Sequence, residues 1–149
     1  MPDVLGLFQQ YKDDVYRLAL SYTRNPQEAE DVCQSVFLKL LEHPPMTPGT
    51  EKAWLMQVCA NRCKNLLRSH WWQTTAPLED VHTAPAPESS GIRDAVMQLD
   101  PKFRVVVYLY YYEGYTTGEI AKLLKITQSA VSTRLFRARG FLKEQLKED

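Results

Sequence analysis

Thr116-Thr117-Gly118-Glu119-Ile120-Ala121-Lys122-Leu123-Leu124-Lys125-Ile126-Thr127-Gln128-Ser129-Ala130-Val131-Ser132-Thr133-Arg134-Leu135-Phe136-Arg137-Ala138-Arg139 is the stretch on which the fold turns. It opens with Thr116 and Glu119 at the spacing of a capping box: the hydroxyl accepts from an early amide of the helix and the carboxylate reaches back to the cap. Ile120, Ala121 and Leu124 then share one helical face. Lys125-Ile126-Thr127 is too short for anything but a turn, and Thr127 suits the cap of a second helix. In that second helix Val131, Leu135, Ala138 and Leu142 recur at helical spacing and must point inward. Two helices joined by a three-residue turn, the second one basic, make a helix-turn-helix.

The turned-out face of the second helix holds Gln128, Ser129, Ser132, Thr133, Phe136 and Arg137. Small polar side chains near its start let the backbone approach the floor of a DNA major groove, and a guanidinium then reads guanine edges or grips phosphate. A good base contact discriminates by about 1–3 kcal/mol. The plain alternative is a solvated face on an ordinary helical bundle; the capping box and short turn just ahead argue for the recognition helix. Phe136 suits either thymine methyls and the DNA backbone or the closing of the domain core.

Upstream, Ile92–Leu99 and the segment from Pro101 to Gly114 read as two more helices. Asp100-Pro101 is a cap followed by a first-turn proline. Phe103, Val106, Val107 and Tyr110 line the second, and Gly114 ends it in a left-handed conformation. Before them, residues 73–91 are rich in Thr, Ala, Pro and Ser, with Pro77, Pro85 and Pro87 and no helical period, as in a flexible linker. The first half is again helical. One helix spans Val4–Thr23, with Leu5, Phe8, Tyr11, Val15, Leu18, Ala19 and Tyr22 on one face. Asn25-Pro26-Gln27-Glu28 caps and starts another. There Ala29, Val32, Cys33, Val36, Phe37 and Leu40 form the buried stripe, and Asp31, Gln34, Ser35, Leu38 and Glu42 lie opposite. It stops at His43-Pro44-Pro45. A third runs from Glu51 to Trp72, with Trp54, Leu55, Val58, Cys59, Cys63 and Leu66 inward. The expected fold class is all-α: two small helical domains joined by a linker, the second a helix-turn-helix.

The 18 basic and 18 acidic residues cancel. Nucleic-acid affinity comes mainly from phosphate neutralisation, so zero net charge argues against strong DNA binding by the chain alone. The distribution says more. Lys52, Arg62, Lys64 and Arg68 lie in a stretch free of acids, and Arg134, Arg137, Arg139, Lys143 and Lys147 face Glu144 alone. Two basic helices in a neutral chain fit two DNA-facing surfaces and a separate protein partner. In the third helix Asn61, Lys64, Asn65 and Arg68, followed by Trp71 and Trp72, supply cations for phosphates, amides for base edges and rings for stacking, a set suited to single strands. The competing reading is a solvated face closed by a hydrophobic plug of tryptophans.

No signal peptide or membrane-spanning run is visible, so a cytoplasmic protein is expected. Cys33, Cys59 and Cys63 fit a reducing compartment and read as small core residues. Cys59 and Cys63 share a helix face, but no further Cys or His stands at metal-site spacing, so neither metal nor cofactor is expected. No Ser, Tyr or carboxylate cluster has the setting of a catalytic site, and His43, His70 and His82 are scattered; this disfavours an enzyme such as a recombinase. A helix-turn-helix regulator acting without polymerase is the alternative function, but the first half offers no sensor.

Four segments, in order and spacing, resemble the extracytoplasmic-function branch of the bacterial sigma-70 family. Asn25-Pro26-Gln27-Glu28-Ala29-Glu30-Asp31-Val32, with Gln34 and Phe37-Leu38, is similar to its polymerase-binding helix. Ala53-Trp54-Leu55, Ala60-Asn61-Arg62 and Lys64-Asn65-Leu66 are similar to its promoter-melting helix. Tyr112-Glu113-Gly114-Tyr115 with Glu119-Ile120-Ala121, and Val131 to Arg139, are similar to its helix-turn-helix. The resemblance implies a non-enzymatic sigma factor of bacterial cytoplasm. It implies residues 1–72 as region 2, 73–91 as linker and 92–149 as region 4. By the same resemblance, Asp31, Gln34 and Leu38 would contact the clamp helices of the polymerase's largest subunit. Asn61, Lys64, Asn65, Arg68, Trp71 and Trp72 would lie along the minus-ten element, with Asn61 helping to capture a flipped base. Ser132, Thr133, Phe136 and Arg137 would meet the minus-thirty-five duplex. Core polymerase (clamp helices and flap region), promoter DNA and an anti-sigma factor are the implied partners. The linker would thread toward the RNA exit path, its Glu79, Asp80 and Glu88 mimicking nucleic-acid charge. Two departures stand out: Ser69-His70-Trp71-Trp72-Gln73 replaces the arginines that often end the melting helix, and Ser132 stands where relatives often carry arginine. Both imply weak DNA binding outside the polymerase.

Overall fold

The computed structural model describes residues 4–44, 47, 49–73 and 91–147, excluding the side chains of residues 69–73 and 147. Among the described residues all regular structure is helical: α1 (Val4–Thr23), α2 (Pro26–Glu42), α3 (Glu51–Gln73), α4 (Ile92–Met97), α5 (Pro101–Val107), a π turn (Tyr108–Tyr112), α6 (Thr117–Leu124) and α7 (Gln128–Lys147). They form two compact units, one holding α1, α2 and most of α3, the other built from α4 to α7. The expected linker residues 74–90 lie outside the described residues.

In the first unit α1 and α2 form a hairpin around Arg24 and Asn25. Arg24 takes the left-handed conformation (φ 55°) and its amide bonds the carbonyl of Leu20 at 2.8 Å, which ends α1. Asn25, extended at φ −137°, accepts from the amides of Gln27 and Glu28 at 2.9 and 3.1 Å, and Pro26 fills the first turn where no N–H is needed. The amide of Asn25 is met by the Thr23 hydroxyl. The chain thus reverses in two residues, and α2 returns antiparallel along α1: Phe37 meets Phe8 edge-on at 5.0 Å, and the Cys33 thiol reaches the carbonyl of Lys12.

The whole expected stripe of α2, Ala29, Val32, Cys33, Val36, Phe37 and Leu40, is buried. On α1, Val15, Leu18, Ala19 and Tyr22 are buried as expected, but Leu5 is 66% exposed and Phe8 sits at the margin. The reason is reach: the core ends before the first turns of α1. On α3, Leu55, Cys59 and Cys63 are buried, joined by Met56 and Ala60, whereas Trp54, Val58 and Leu66 are half-buried. The stripe of α3 is rotated toward Met56 and Ala60 relative to the sequence reading.

In the second unit α4 and α5 pack on α7. Pro101 begins α5 as expected, but the Asp100 side chain makes no cap bond; its carbonyl instead accepts from the amides of Phe103 and Arg104 at 2.9 Å. Arg104 is buried at 3% exposure, and its guanidinium donates to the carbonyls of Leu99 (2.6 Å) and Met97 (3.3 Å). A cation inside a core must have its donors met, and here it satisfies the end of α4 while anchoring α5. The expected single helix from Pro101 to Gly114 is α-helical only to Val107. Tyr108–Tyr112 widens into a π turn, closed by the amide of Glu113 on the carbonyl of Tyr108 and of Tyr115 on that of Leu109. Gly114 follows at φ 77°, the left-handed residue expected.

Both arms of the capping box form: the Glu119 amide donates to Thr116 Oγ1 at 3.1 Å and the Thr116 amide to Glu119 Oε1 at 2.9 Å. Thr116→Ala removes one arm and is expected to cost about 1 kcal/mol. Hydrogen exchange on the intact chain checks this: the amides of α6 should exchange roughly fivefold faster while those of α2 stay unchanged.

Candidate nucleic-acid and polymerase interface

The turn between α6 and α7 sets the aim of the last helix. Lys125 adopts φ 59°, and the amide of Ile126 reaches back to the carbonyl of Ala121 at 3.1 Å. This six-to-one bond closes α6 in a Schellman-type end with lysine where glycine is usual. Thr127 Oγ1 accepts from the amide of Ala130 at 3.0 Å, the expected cap of α7. Gln128 Nε2 donates to Thr117 Oγ1 at 2.8 Å, tying the start of α7 to the start of α6. Val131, Leu135, Ala138 and Leu142 are all buried. Ser132, Thr133, Phe136 and Arg137 are consequently exposed together. Phe136, at 75% exposure, takes no part in closing the core; Phe141, itself exposed on one side, covers the buried Phe103 ring at 5.4 Å.

On α2, Asp31, Gln34 and Leu38 are exposed side by side, Leu38 at 61%. Glu42 is exposed on this face as expected, and Leu41, equally exposed, widens it with a second apolar side chain. The signal was available: positions 31, 34, 38 and 41 repeat at helical spacing. On α3, Asn65 and Arg68 are exposed, and Asn61 and Lys64 are half-buried. Gln57 Nε2 donates to Asn61 Oδ1 at 3.4 Å, which orients the Asn61 amide. Trp71 and Trp72 fall on the last turn of α3, and their side chains lie outside the described residues. Between α2 and α3 an open cleft of about 110 Å³ is lined by Glu28, Asp31, Val32, Ser35, Arg62 and Leu66. It brings the acidic face of α2 next to a cation of α3.

The three cysteines belong to the core. The Cys59 thiol approaches the carbonyl of Val15 at 3.5 Å. Its pKa is pushed well up, first by a hydrogen bond with Cys63, then by burial and by the charges Cys63 and Cys33 would carry. Burial, then the carboxylates of Asp13 and Glu30, push Cys33 up to about 11 from 9.0. Such thiols are poor nucleophiles at neutral pH. Among the described residues no three His, Cys, Asp or Glu side chains gather as metal ligands would. No helix of the described residues is long and apolar enough to cross a membrane.

Two family models match the chain: Sigma-70 region 2 over residues 7–73 and Sigma-70, region 4 over residues 90–142. The extracytoplasmic-function (ECF) RNA polymerase sigma factor SigL of Mycobacterium tuberculosis is 29% identical, the alignment covering 96% of this chain and 88% of that protein. ECF RNA polymerase sigma factor SigM of Bacillus subtilis is 27% identical over 92% and 91% of the two chains. ECF RNA polymerase sigma factor SigE of Mycolicibacterium smegmatis is 30% identical over 98% of this chain and 62% of that protein. The fold matches the sigma factor RpoE from Bartonella quintana, solved with the anti-sigma factor NepR, at a TM-score of 0.75 and 20% identity, covering 100% and 99% of the chains. It also matches CnrH, solved with the cytosolic domain of CnrY, at 0.66 and 23%, covering 98% and 88%. A helix-turn-helix unit preceded by a separate three-helix unit is the layout of a transcription-initiation factor. The chain belongs to the sigma-70 family of RNA polymerase sigma factors, in its extracytoplasmic-function branch.

The buried thiols give a pH dependence whose sign is fixed. Cysteines ionise near 9.0 in the unfolded chain, whereas Cys33 in the fold holds its proton to about 11. Between these values the folded state binds more protons, so stability falls as pH rises; below pH 9 the term vanishes. Urea unfolding followed by tryptophan fluorescence should show a loss of about 1 kcal/mol from Cys33 between pH 9 and 10. The loss should be smaller in Cys33→Ala.

Proposed function

We propose that this chain binds core RNA polymerase and directs promoter-specific initiation, with no catalytic activity of its own, in the bacterial cytoplasm. Residues 1–72 act as region 2, 92–149 as region 4, and 73–91 as the connection threaded through the polymerase. The observation that carries this reading is the pairing of one fully buried stripe with one exposed functional face on both α2 and α7. On α2, Asp31, Gln34 and Leu38 engage the clamp helices of the largest subunit. An exposed leucine on a polar face stabilises nothing in the free chain but anchors a partner. On α3, Asn61, Lys64, Asn65 and Arg68, with Trp71 and Trp72 beyond, follow the minus-ten strand. The held amide of Asn61 suits a base taken out of the stack, an extrusion that costs a few kcal/mol and has to be met by polymerase and pocket together. On α7, Ser132, Thr133, Phe136 and Arg137 enter the minus-thirty-five major groove.

The net charge of +0 fits this division: most electrostatic affinity for DNA comes from the polymerase. An anti-sigma partner is part of the proposal. The RpoE and CnrH chains were solved with the anti-sigma factor NepR and the CnrY cytosolic domain, and the same exposed apolar faces would be available to such a protein here.

Reconstitution with core polymerase tests the whole reading. Added chain should yield transcripts from specific promoters, and the chain without core should not shift the same DNA at physiological salt. Core assembly should weaken tenfold or more, roughly 1.4 kcal/mol, in Leu38→Glu. Arg137→Ala should impair duplex binding by holoenzyme more than strand opening, measured by permanganate reactivity of unpaired thymines. Asn61→Ala should do the reverse. Equal defects in both steps would contradict the assignment of α3 and α7.

A further inference from the structure

We infer that Tyr111 is a positioning residue for Arg139, and that the two together grip a DNA phosphate beyond the C-terminal end of the base-reading part of α7. This rests on the promoter-binding reading above and extends it to residues outside the helix-turn-helix.

The geometry is specific. Arg139 Nε donates to the Tyr111 hydroxyl at 2.6 Å, and the guanidinium carbon lies 5.6 Å from the Tyr111 ring and 5.8 Å from the Tyr110 ring. The two rings meet edge to face at 4.9 Å, so they form one rigid seat. A guanidinium held at Nε and against two ring faces keeps its terminal nitrogens, a fork matched to two phosphate oxygens. The Tyr111 hydroxyl, having accepted from Nε, still has its own proton to donate in the same direction. Tyr111 is 57% exposed, and Arg139 is exposed as well. A surface arginine left to itself samples many rotamers and must give up that freedom on binding; this one is already ordered.

Position supplies the ligand. Arg139 stands three residues after Phe136 and seven after Ser132, on the same stripe of α7, so it prolongs the proposed groove-entering face. Lys143, one turn further along the same stripe, is an exposed cation as well, and the exposed acid Glu144 lies off that stripe, which favours an anion over a neutral partner. The π turn makes the seat: widening Tyr108–Tyr112 by one residue presents Tyr110 and Tyr111 next to α7, while Tyr108 turns to donate to Glu113 Oε2 at 2.6 Å. The first turn of α7, Gln128 to Ala130, and the following Ser132 and Thr133 carry no cation, and the clamp supplies one further along.

Holoenzyme reconstituted from core and full-length chain is measured by anisotropy on a promoter duplex that it selects from genomic DNA, and on a scrambled duplex, over a salt series. Arg139→Ala should weaken both duplexes by a similar factor and lower the salt slope by about 1. Arg139→Lys should keep the slope. Tyr111→Phe, which retains the ring and removes the hydroxyl, should weaken binding about threefold in the parent chain and have no effect in the Arg139→Ala background. An equal Tyr111→Phe effect in both backgrounds, or none in either, overturns the positioning role. Arg139→Ala that leaves DNA binding intact but weakens assembly with core overturns the phosphate assignment in favour of a protein contact. If Arg137→Ala is also without effect on either duplex, the promoter-binding reading itself has failed and not this extension alone.

Discussion

A helix can commit a side chain to the core only by turning another away from it, and this geometric constraint organises the molecule. Burying Val131, Leu135, Ala138 and Leu142 leaves Ser132, Thr133, Phe136 and Arg137 no position but the outside. The same holds on α2, where Ala29, Val32, Val36 and Leu40 fix the outward line of Asp31, Gln34 and Leu38. Function is therefore specified by packing: any substitution that rotated either helix in its seat would re-aim several side chains at once. The two ends of α6 and the head of α7 guard against that, through the Thr116–Glu119 box, the left-handed Lys125 and the Gln128–Thr117 bond. Each is a modest interaction, but together they fix the angle and register at which the last helix is presented.

Much of this was legible in the residues. The stripe of α2, the caps at Asn25, Thr116 and Thr127, the turn at Gly114 and the core of α7 all follow from spacing and local hydrogen-bond chemistry. They succeed because each is decided within a few residues. What failed was decided at longer range. Periodicity put Leu5 and Phe8 on the core side of α1 correctly but could not say that the core stops short of them. It put Trp54 and Val58 inward on α3 when Met56 and Ala60 are the more deeply buried, because the seat of that helix is chosen by its neighbours. Asp100 looked like a side-chain cap, yet only its carbonyl serves. Nothing in the periodic pattern marked Arg104 as buried, since a cation enters a core only where free carbonyls, here those of Leu99 and Met97 at the end of the preceding helix, are turned toward it. For the candidate sites, helical spacing located the exposed faces but not Leu41. It could not reveal the Arg139 seat, which joins residues 28 positions apart.

The two halves differ in how they hold charge. The first unit places acids on α2 beside cations on α3 across a narrow cleft, so its field is divided at short range. The second carries Arg134, Arg137, Arg139 and Lys143 around the outward surface of its last helix, with Glu144 as the one acid of that helix. A neutral chain arranged this way has little long-range pull on DNA, because fields of opposite sign cancel beyond a Debye length of about 10 Å. It retains strong local preferences once something else has brought it close. Encounter and recognition are thus assigned to different molecules.

The π turn at Tyr108–Tyr112 is a helix carrying one residue more than its ladder needs. Surplus of this kind leaves a margin for deletion. Losing a single residue there would let the ladder close in ordinary α-helical fashion while Val107 behind and Gly114 ahead kept their roles. The segment can therefore shorten by one residue without moving its flanking helices out of their seats. Such a step would swing a different side chain toward the last helix, exchanging the partner of Arg139 while the outward residues Ser132, Thr133, Phe136 and Arg137 stay untouched.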